Sequence, residues 1–503
     1  MKLNIKNMIC GLGLMVLATS CDNFLDVHPK GEIVGKDLLS ERKGFENALY
    51  GVYASMRNDK AYGAYMTYYV MDVLAQYFNC PGNSDITDLS AFKYKENPEV
   101  TKVFSDIWST MYQNISYANN ILVNLENQSP ETLEFYDIYK GEALGLRAYM
   151  HFDLLRLYAD QATDAKTRGI VYNTAFSLKP SDILPKTKVY ERIIADLRAA
   201  EKLLDNEKLY EAASPEDGFF LDQSIHFNLQ AARATLARVY LTQGNIDSAF
   251  YYADKVIREG GLELVEKTEI AGDVIGALSQ KETIFGLYAK ESFYTRTKED
   301  LYDAVSFKSL NPWNGIATVY QQGGGENDYR WAAWFQTISN NLRFVKLTDP
   351  YQLSTGNNRP AGQIPGVNLI RLPEMYYIAA ECLLRKNDPK AADYFNAVLE
   401  SRGLVALDDR IPAESLTIEK ITQERYKEFV GEGQTFFNMK RLNLDIQAIT
   451  GEILPAAIVS IRYLSPRRNS TIETKSMMLN NKTENHETYD IISIHRLVYS
   501  LLP

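Results

Sequence analysis

The chain has 503 residues, of which 46% are hydrophobic and 23% are charged, a composition typical of a globular protein with a large core. The formal net charge of -10 argues against a nucleic-acid-binding protein, which needs a basic surface. Tyrosine is abundant, with 33 residues, and its ring suits surfaces that are partly apolar and partly wet as well as packing between helices.

The first twenty residues have the pattern of a secretory signal. Lys2 and Lys6 precede an apolar stretch at 8–18, and small residues stand directly before Cys21. The stretch is shorter than the roughly 18 residues that a membrane-spanning helix needs. A cysteine at this place resembles a bacterial lipobox, which predicts that the signal peptide 1–20 is removed and that Cys21 carries lipid. The alternative is a soluble secreted protein in which the cysteine occurs by chance.

Helical periodicity dominates the rest of the chain. Apolar residues recur at intervals of three and four, which predicts amphipathic helices. The predicted helices cover residues 44–57, 103–125, 142–158, 190–204, 228–242 and 246–259. No second apolar run reaches the length of a membrane span.

Two helical hairpins have the spacing of tetratricopeptide repeats. In the first, Ala237 and Ala249 permit a close approach of two helices, and Gly244-Asn245 closes the turn between them. Residues 375–386 and 389–401 form a second hairpin of the same kind. One hairpin cannot bury its own apolar face, so such units are expected to stack.

Between residues 262 and 368 the pattern changes to frequent Gly, Asn, Asp and Pro, while aromatic residues persist. This composition predicts long loops with a few short elements, and loops on a rigid scaffold are where binding residues concentrate. The predicted fold class is therefore mainly α: a tetratricopeptide-like helical-hairpin scaffold with a large loop-rich insertion that carries a few short strands.

Five separated motifs, in order, resemble the SusD/RagB family of nutrient-binding outer-membrane lipoproteins. They lie at residues 23–31, 142–160, 231–257, 370–381 and 424–442. The resemblance spans Cys21 to about Leu444, and we expect a single SusD-like domain over 21–455. It implies a surface lipoprotein on a Bacteroidetes-like outer membrane that caps a SusC-type TonB-dependent transporter. It further implies delivery of an oligosaccharide, or of a peptide as in RagB-like subunits, to that transporter.

Several charged residues in these motifs lie on core-facing helices. Arg147, Asp153, Arg156 and Glu381 are predicted to form buried ion pairs rather than ligand contacts, because a buried charge persists only when it is paired. The element Asp328-Tyr329-Arg330 is also predicted to be structural.

Catalytic and metal-binding patterns are missing from the sequence. The five histidines form no His-Glu-x-x-His pattern, and no Gly-x-Ser-x-Gly elbow occurs. Gly323-Gly324-Gly325 lacks the Lys-Ser/Thr of a phosphate loop, and a flexible turn is expected there. Cys80 and Cys382 could form one disulfide, although the sequence cannot show that they are close. We therefore predict a binding protein without metal or cofactor, not an enzyme.

Two other classes stay open at this stage. A surface glycosidase or other hydrolase needs only two suitably spaced carboxylates, and the chain has 64 acidic residues. A purely structural repeat protein that binds protein partners is the third alternative.

Two regions combine aromatic rings, which stack on the apolar faces of sugars, with amides that can bond hydroxyls. They are residues 65–92 and 313–334. The predicted ligand-binding residues are Tyr77, Phe78, Asn79, Asn83, Trp313, Asn314, Tyr320 and Trp331. Gln76 is a weaker candidate.

The tail 456–503 has no pattern like the end of the SusD/RagB family. A different reading frame from Pro455, within the codons that the residues permit, can encode a family-like ending. We hypothesise a frameshift near Leu454–Pro455, in which case the tail has no evolved function and is disordered. The nucleotide sequence tests this directly.

Overall fold

The computed structural model describes residues 39–456, except 161–166, 178, 180, 207–217, 267–268, 270–275, 290, 304–308, 322–327 and 350–362. The predicted signal peptide, the lipidation site Cys21 and the tail from 457 onward lie outside the described residues. The domain boundaries at 20/21 and 455/456 therefore stay predictions.

Fifteen α-helices run through the described part of the chain. In chain order they are α1 (Arg42–Met56), α2 (Val70–Leu74), α3 (Ser84–Ser90), α4 (Pro98–Leu125), α5 (Tyr136–Tyr158), α6 (Lys186–Leu204), α7 (Leu229–Gln243), α8 (Ile246–Glu259), α9 (Glu291–Thr297), α10 (Ile316–Gln321), α11 (Tyr329–Trp334), α12 (Leu372–Arg385), α13 (Ala391–Ser401), α14 (Ile418–Glu428) and α15 (Gln434–Leu442).

Short strands form five antiparallel pairs among the described residues. The strands are β1 (Phe78–Asn79), β2 (Arg168–Val171), β3 (Ile183–Pro185), β4 (Thr283–Tyr288), β5 (Asn311–Pro312), β6 (Phe335–Ile338), β7 (Asn341–Phe344), β8 (Gly366–Arg371), β9 (Ile446–Gln447) and β10 (Ile453–Leu454). The pairs are β1 with β5, β2 with β3, β4 with β8, β6 with β7 and β9 with β10. The expected fold class, mainly α with a few short strands, is confirmed.

The long helices pack in succession: α4 on α5, α5 on α6, α6 on α7, α7 on α8, α8 on α12 and α12 on α13. These seven helices are called the helical array below. Helix α5 is buried on nearly all sides, so it lacks the polar face of a surface helix. Its neighbours supply the apolar partners that no single hairpin has.

Small residues let α5 approach its neighbours closely. A Cβ atom on Gly145 would lie 2.1 Å from Phe227 Cε1, and one on Gly141 would lie 2.7 Å from Leu204 Cγ. Both positions therefore have no space for a side chain. At the end of α7, Gly244 has φ +85°, the left-handed conformation that ends a helix and that glycine adopts without strain.

The predicted hairpins are present as α7 with α8 and as α12 with α13, and the two hairpins pack together through α8 and α12. Between them, the region 262–368 carries the short helices and strands that its composition predicts. Its pair β4–β8 leads into α12. Cys80 and Cys382 are both buried and are not joined by a disulfide.

The predicted ion pairs are confirmed. Arg147 donates to both carboxylate oxygens of Asp196, at 2.7 and 2.9 Å, and Arg156 pairs with Asp153. Glu381 accepts from Arg441 at 2.7 and 2.8 Å. These charges are used within the core, as expected for buried groups.

Among the described residues, no helix combines the length and the apolar character needed to cross a bilayer.

Candidate functional site

The strand pair β1–β5 brings the two predicted binding regions together. Phe78 faces Pro312 and Asn79 faces Asn311 across the pair. The Trp313 backbone N–H extends the pairing by donating to the Tyr77 carbonyl at 3.1 Å. Residues far apart in sequence thus form one surface, on which Asn79 of one segment lies next to Trp313 and Asn314 of the other.

Two of the predicted contact residues on this surface face inward. Tyr77 and Phe78 are fully buried. The Tyr77 hydroxyl is bonded to the Thr435 side chain at 2.7 Å, and its ring lies 4.2 Å from that of Tyr426. Phe78 packs on Phe344. In this arrangement neither ring can lie against a ligand, because both side chains are fully buried. Their expected role as stacking residues is not compatible with this geometry.

Tyr320 is also fully buried, and its hydroxyl donates to the Lys427 carbonyl at 2.7 Å. Its ring centroid lies 5.6 Å from that of Trp331. The expected direct contact with a ligand does not fit this position, and the ring instead packs against Trp331 from the protein interior. Aromatic density in the sequence indicates where rings cluster, but it does not tell which of them face inward.

The two tryptophans are placed differently. Trp313 and Trp331 are each half-buried, so part of each indole is accessible. The Trp313 ring lies directly on Gly315, where an added Cβ would come within 1.9 Å of it. Trp331 stacks on Phe335 with ring centroids 4.9 Å apart and planes 21° from parallel. Each indole is therefore held by a partner, which fixes its orientation before any ligand arrives.

The three asparagines have different surroundings. Asn314 is exposed, and Asn79 is half-buried with its side-chain carbonyl oxygen unpartnered among the described residues. Asn83 is the N-cap of α3, because its side-chain oxygen accepts from the backbone N–H groups of Asp85 and Ile86. Asn83 keeps only its amide NH₂ for a ligand. The weaker candidate Gln76 is buried and is used to bond Ser90 and Ile449.

Helix α14 supports both halves of the surface. Its residues Tyr426 and Lys427 contact Tyr77 and Tyr320, respectively. Trp331 follows Arg330, whose fully buried guanidinium donates to Asp328 at 2.7 and 2.9 Å and to Glu424 at 2.6 Å. The start of α11 is thereby attached to α14 by charge-assisted hydrogen bonds, which are stronger than neutral ones.

The centre of this support is Glu428, the last residue of α14. Its carboxylate accepts from Arg330 at 3.1 Å, from Arg371 at 2.8 Å and from Arg402 at 2.9 and 3.0 Å. We call this set the Glu428 network, which is completed by Glu282 at 2.9 to 3.1 Å from Arg371 and Arg402. Arg371 and Arg402 are part of the support that sequence analysis missed, because no local pattern shows that distant charges converge.

The electrostatics of Glu428 follow from this geometry. Burial alone would raise the pKa of its carboxyl, but Arg402, Arg371 and Arg330 outweigh burial and hold the pKa well below its usual range. The carboxylate is therefore charged at all physiological pH values, and the three guanidinium groups stay paired.

Chemically, the surface offers two fixed indoles and amide groups, a combination suited to binding a ligand with apolar faces and hydroxyl groups. Within the described ranges, no group of three or more His, Cys, Asp or Glu side chains could hold a metal ion.

A tetratricopeptide-like helical array that presents a loop-rich face with two fixed indoles defines a helical binding scaffold. Two family models match the chain: one described as starch-binding and associating with the outer membrane, over residues 23–241, and the SusD family model, over residues 289–499. The chain belongs to the SusD/RagB family, as the motifs in its sequence indicate. The second match extends past residue 455 into the part that we set apart as atypical.

Relatives and solved structures are similar over most of their length. SusD-like protein P25 of Formosa agariphila is 22% identical, with 79% of this chain and 82% of the relative covered. SusD-like protein P2 of the same species is 24% identical, with 87% of this chain and 91% of the relative covered.

Among solved structures, a SusD superfamily protein from Bacteroides thetaiotaomicron superposes with a TM-score of 0.67 at 23% identity, covering 83% of this chain and 96% of that chain. A SusD-like carbohydrate binding protein from Bacteroides vulgatus gives a TM-score of 0.64 at 19% identity, covering 81% of this chain and 84% of that chain. At these identities the likeness establishes the fold.

Proposed function

We propose that this protein binds an oligosaccharide at the cell surface and delivers it to a partner SusC-type TonB-dependent transporter in the outer membrane. The observation that carries the proposal is the β1–β5 pair, which joins Asn79 to the loop of Trp313 and Asn314. Family membership, and a family model described as starch-binding and associating with the outer membrane, support the same class of ligand and the same location.

The proposed contacts are Trp313 and Trp331 for stacking, and Asn79, Asn83 and Asn314 for the hydroxyls. A sugar ring has apolar C–H faces, and their burial against an indole contributes roughly 25 cal/mol per Å² of apolar area removed from water. Because both indoles rest on Gly315 and Phe335, little side-chain entropy is lost on binding. Tyr77, Phe78 and Tyr320 serve as the support beneath them.

The protein is proposed to capture its ligand without chemical change and to be tethered by lipid on Cys21. A lipidated cysteine keeps the protein at the outer membrane, since acyl chains contribute about 0.8 kcal/mol per buried methylene. A bound peptide, as in RagB-like subunits, and hydrolysis of a glycan are the alternatives that the experiment below must separate.

The test combines ligand binding with a search for products. We expect a glycan array to identify an oligosaccharide ligand, and the variants Trp313→Ala and Trp331→Ala to bind it at least about tenfold more weakly by calorimetry, about 1.4 kcal/mol each. Trp108→Ala is the matched control, because Trp108 is another half-buried tryptophan, packed between Tyr112 and Tyr158 on α4 and α5. Its affinity should be unchanged.

Binding of peptides but of no glycan would replace the oligosaccharide with the peptide alternative. Chromatography of the ligand after long incubation should return it intact, whereas products that disappear on changing one carboxylate would contradict a pure binding role. Full affinity in both tryptophan variants would mean that the site lies elsewhere.

A further inference from the structure

A second cluster of charges lies where α5, α7 and α12 of the helical array meet α14 and α15. Arg238 of α7 donates through Nε to Glu374 at 2.9 Å and through Nη2 to its other oxygen at 2.5 Å. Arg425 of α14 places Nη2 at 3.6 Å from the same Glu374. Arg441 of α15 pairs with Glu381, which lies about two turns further along α12 than Glu374. We call this cluster the arginine junction.

Several donors of the arginine junction have no acceptor among the described residues. They are Nε and Nη1 of Arg425, Nη1 of Arg238 and Nε of Arg156. All three arginines are more than nine-tenths buried, with 3 to 5% of their surface exposed. Arginine has donors only, so each unpaired N–H group requires an acceptor, and leaving a buried one unpaired costs more than a typical hydrogen bond contributes.

The charge of the junction is also unbalanced. Three buried guanidinium groups, on Arg156, Arg238 and Arg425, and the partly exposed one of Arg441 face three carboxylates, those of Asp153, Glu374 and Glu381. Glu374 is shared by Arg238 and Arg425, so one positive charge has no carboxylate of its own.

The imbalance is visible at Arg425. Burial lowers the pKa of its guanidinium, and repulsion from Arg441 and Arg238 adds to the effect against the attraction of Glu374 and Glu381. A guanidinium group does not lose its proton in a protein, so this positive charge cannot be removed by titration. A buried ion without a partner is strongly unfavourable, and a partner of opposite charge is the remaining remedy.

We propose that the arginine junction binds a small monovalent anion of the halide class, held by the free N–H groups of Arg425 and Arg238. The ligand must accept hydrogen bonds, must carry negative charge to balance the fourth guanidinium, and must be small because the surrounding helices are packed. Chloride has these properties. The junction shares no residue with the proposed sugar surface, so the inference does not depend on the proposed function. The role of the anion is to stabilise the contact of α7, α12 and α14.

Bromide is the probe for the direct test, because it replaces chloride and scatters X-rays anomalously. The wild-type protein is crystallised in bromide without chloride, and data are collected at the bromine absorption edge. We expect an anomalous peak within hydrogen-bonding distance of Arg425 Nη1. A junction that contains only water, with no anomalous peak, would overturn the proposal.

Stability gives a second, independent measurement. We expect the melting temperature to rise by at least about 2 °C when chloride replaces gluconate at constant ionic strength, because an anion that binds only the folded state stabilises it. Arg425→Met should lose this response. Arg385→Met is the control and should keep the response. Arg385 pairs with Glu381 at the edge of the junction, as Arg441 does, but its side chain is 36% exposed. If Arg425→Met does not fold, the bromide experiment on the wild type still decides.

Discussion

The helical array and the loop-rich region 262–368 are stabilised by different interactions. In the array, α5 meets Leu204 at the end of α6 and Phe227 just before α7, at places where Gly141 and Gly145 permit close approach. The loop-rich region has few long elements, and it is attached to α14 by two buried arginines: Arg330 within the region and Arg371 just past its end. Close helix packing distinguishes the array, which also contains buried ion pairs such as Arg147–Asp196, whereas the loop-rich region is attached mainly through charge.

The difference has a physical reason. Long helices repeat the same apolar face every turn, so burial adds up along their length. A loop has no such repetition, and a bidentate arginine–carboxylate contact fixes its position with few residues. Trp313, Asn314 and Trp331 of the proposed binding surface lie in the loop-rich region, where charged contacts can fix the position of a loop that has no long helix or strand.

The strongest test of this comparison is Glu428→Gln. The change leaves Arg330, Arg371 and Arg402 without their shared carboxylate, and breaking a buried ion pair from one side costs about 3–5 kcal/mol. We expect this loss in the free energy of unfolding measured with urea at pH 7. The control Glu419→Gln changes an exposed residue on the same helix and should have little effect.

The dependence of stability on pH gives a second test of the Glu428 carboxylate. A carboxyl whose pKa is lowered in the folded state contributes stability above its unfolded pKa, near 4.3, and loses that contribution as pH falls toward its folded pKa. Wild type should therefore lose stability steeply below about pH 4.5, and Glu428→Gln should lose less over the same interval. Equal pH slopes would contradict a central role for this carboxylate.

Gly145→Ala tests the close packing of the helical array. The new Cβ would lie 2.1 Å from Phe227, so the helices must separate, and we expect a loss of about 1–3 kcal/mol in the free energy of unfolding. Gly51→Ala is the matched control: Gly51 is also inside a helix, α1, but has open space, and alanine there should stabilise by up to about 1 kcal/mol. Destabilisation by both variants would indicate that close packing is not the cause.

The smallest expected effect is that of Tyr320→Phe. It removes one hydroxyl that donates to the Lys427 carbonyl, which costs about 1 kcal/mol of stability. The ring that supports Trp331 remains, so we expect ligand affinity to change less than twofold, unlike in Trp331→Ala. Tyr251→Phe, at an exposed position on α8, should change neither quantity. A large loss of affinity in Tyr320→Phe would restore Tyr320 as a ligand contact.

The helices could be predicted well from the sequence because their apolar period is strong. The prediction 246–259 coincides with α8, and 190–204 differs from α6 only at its start. The start of α4 was placed five residues late, at 103. The overlooked signal was Asn97-Pro98, in which Asn97 caps the helix and Pro98 occupies its first position.

The candidate site could be predicted only in part. The sequence indicated the two segments that β1 and β5 join, but it could not distinguish the half-buried Trp313 from the buried Tyr77, since both lie in irregular chain without a period. The direction of a side chain in a loop depends on distant partners such as Thr435 and Tyr426. Those partners are known only once the chain is folded.

The pairing of β1 with β5 also has a consequence for the order of folding. Asn79 and Asn311 are separated by most of the helical array, and closing so long a loop is entropically costly until the intervening helices have compacted it. We therefore expect the proposed binding surface to form late in folding. We expect a chain that lacks Asn311 to form helices but not the pair β1–β5, so that ligand affinity reports completion of the fold.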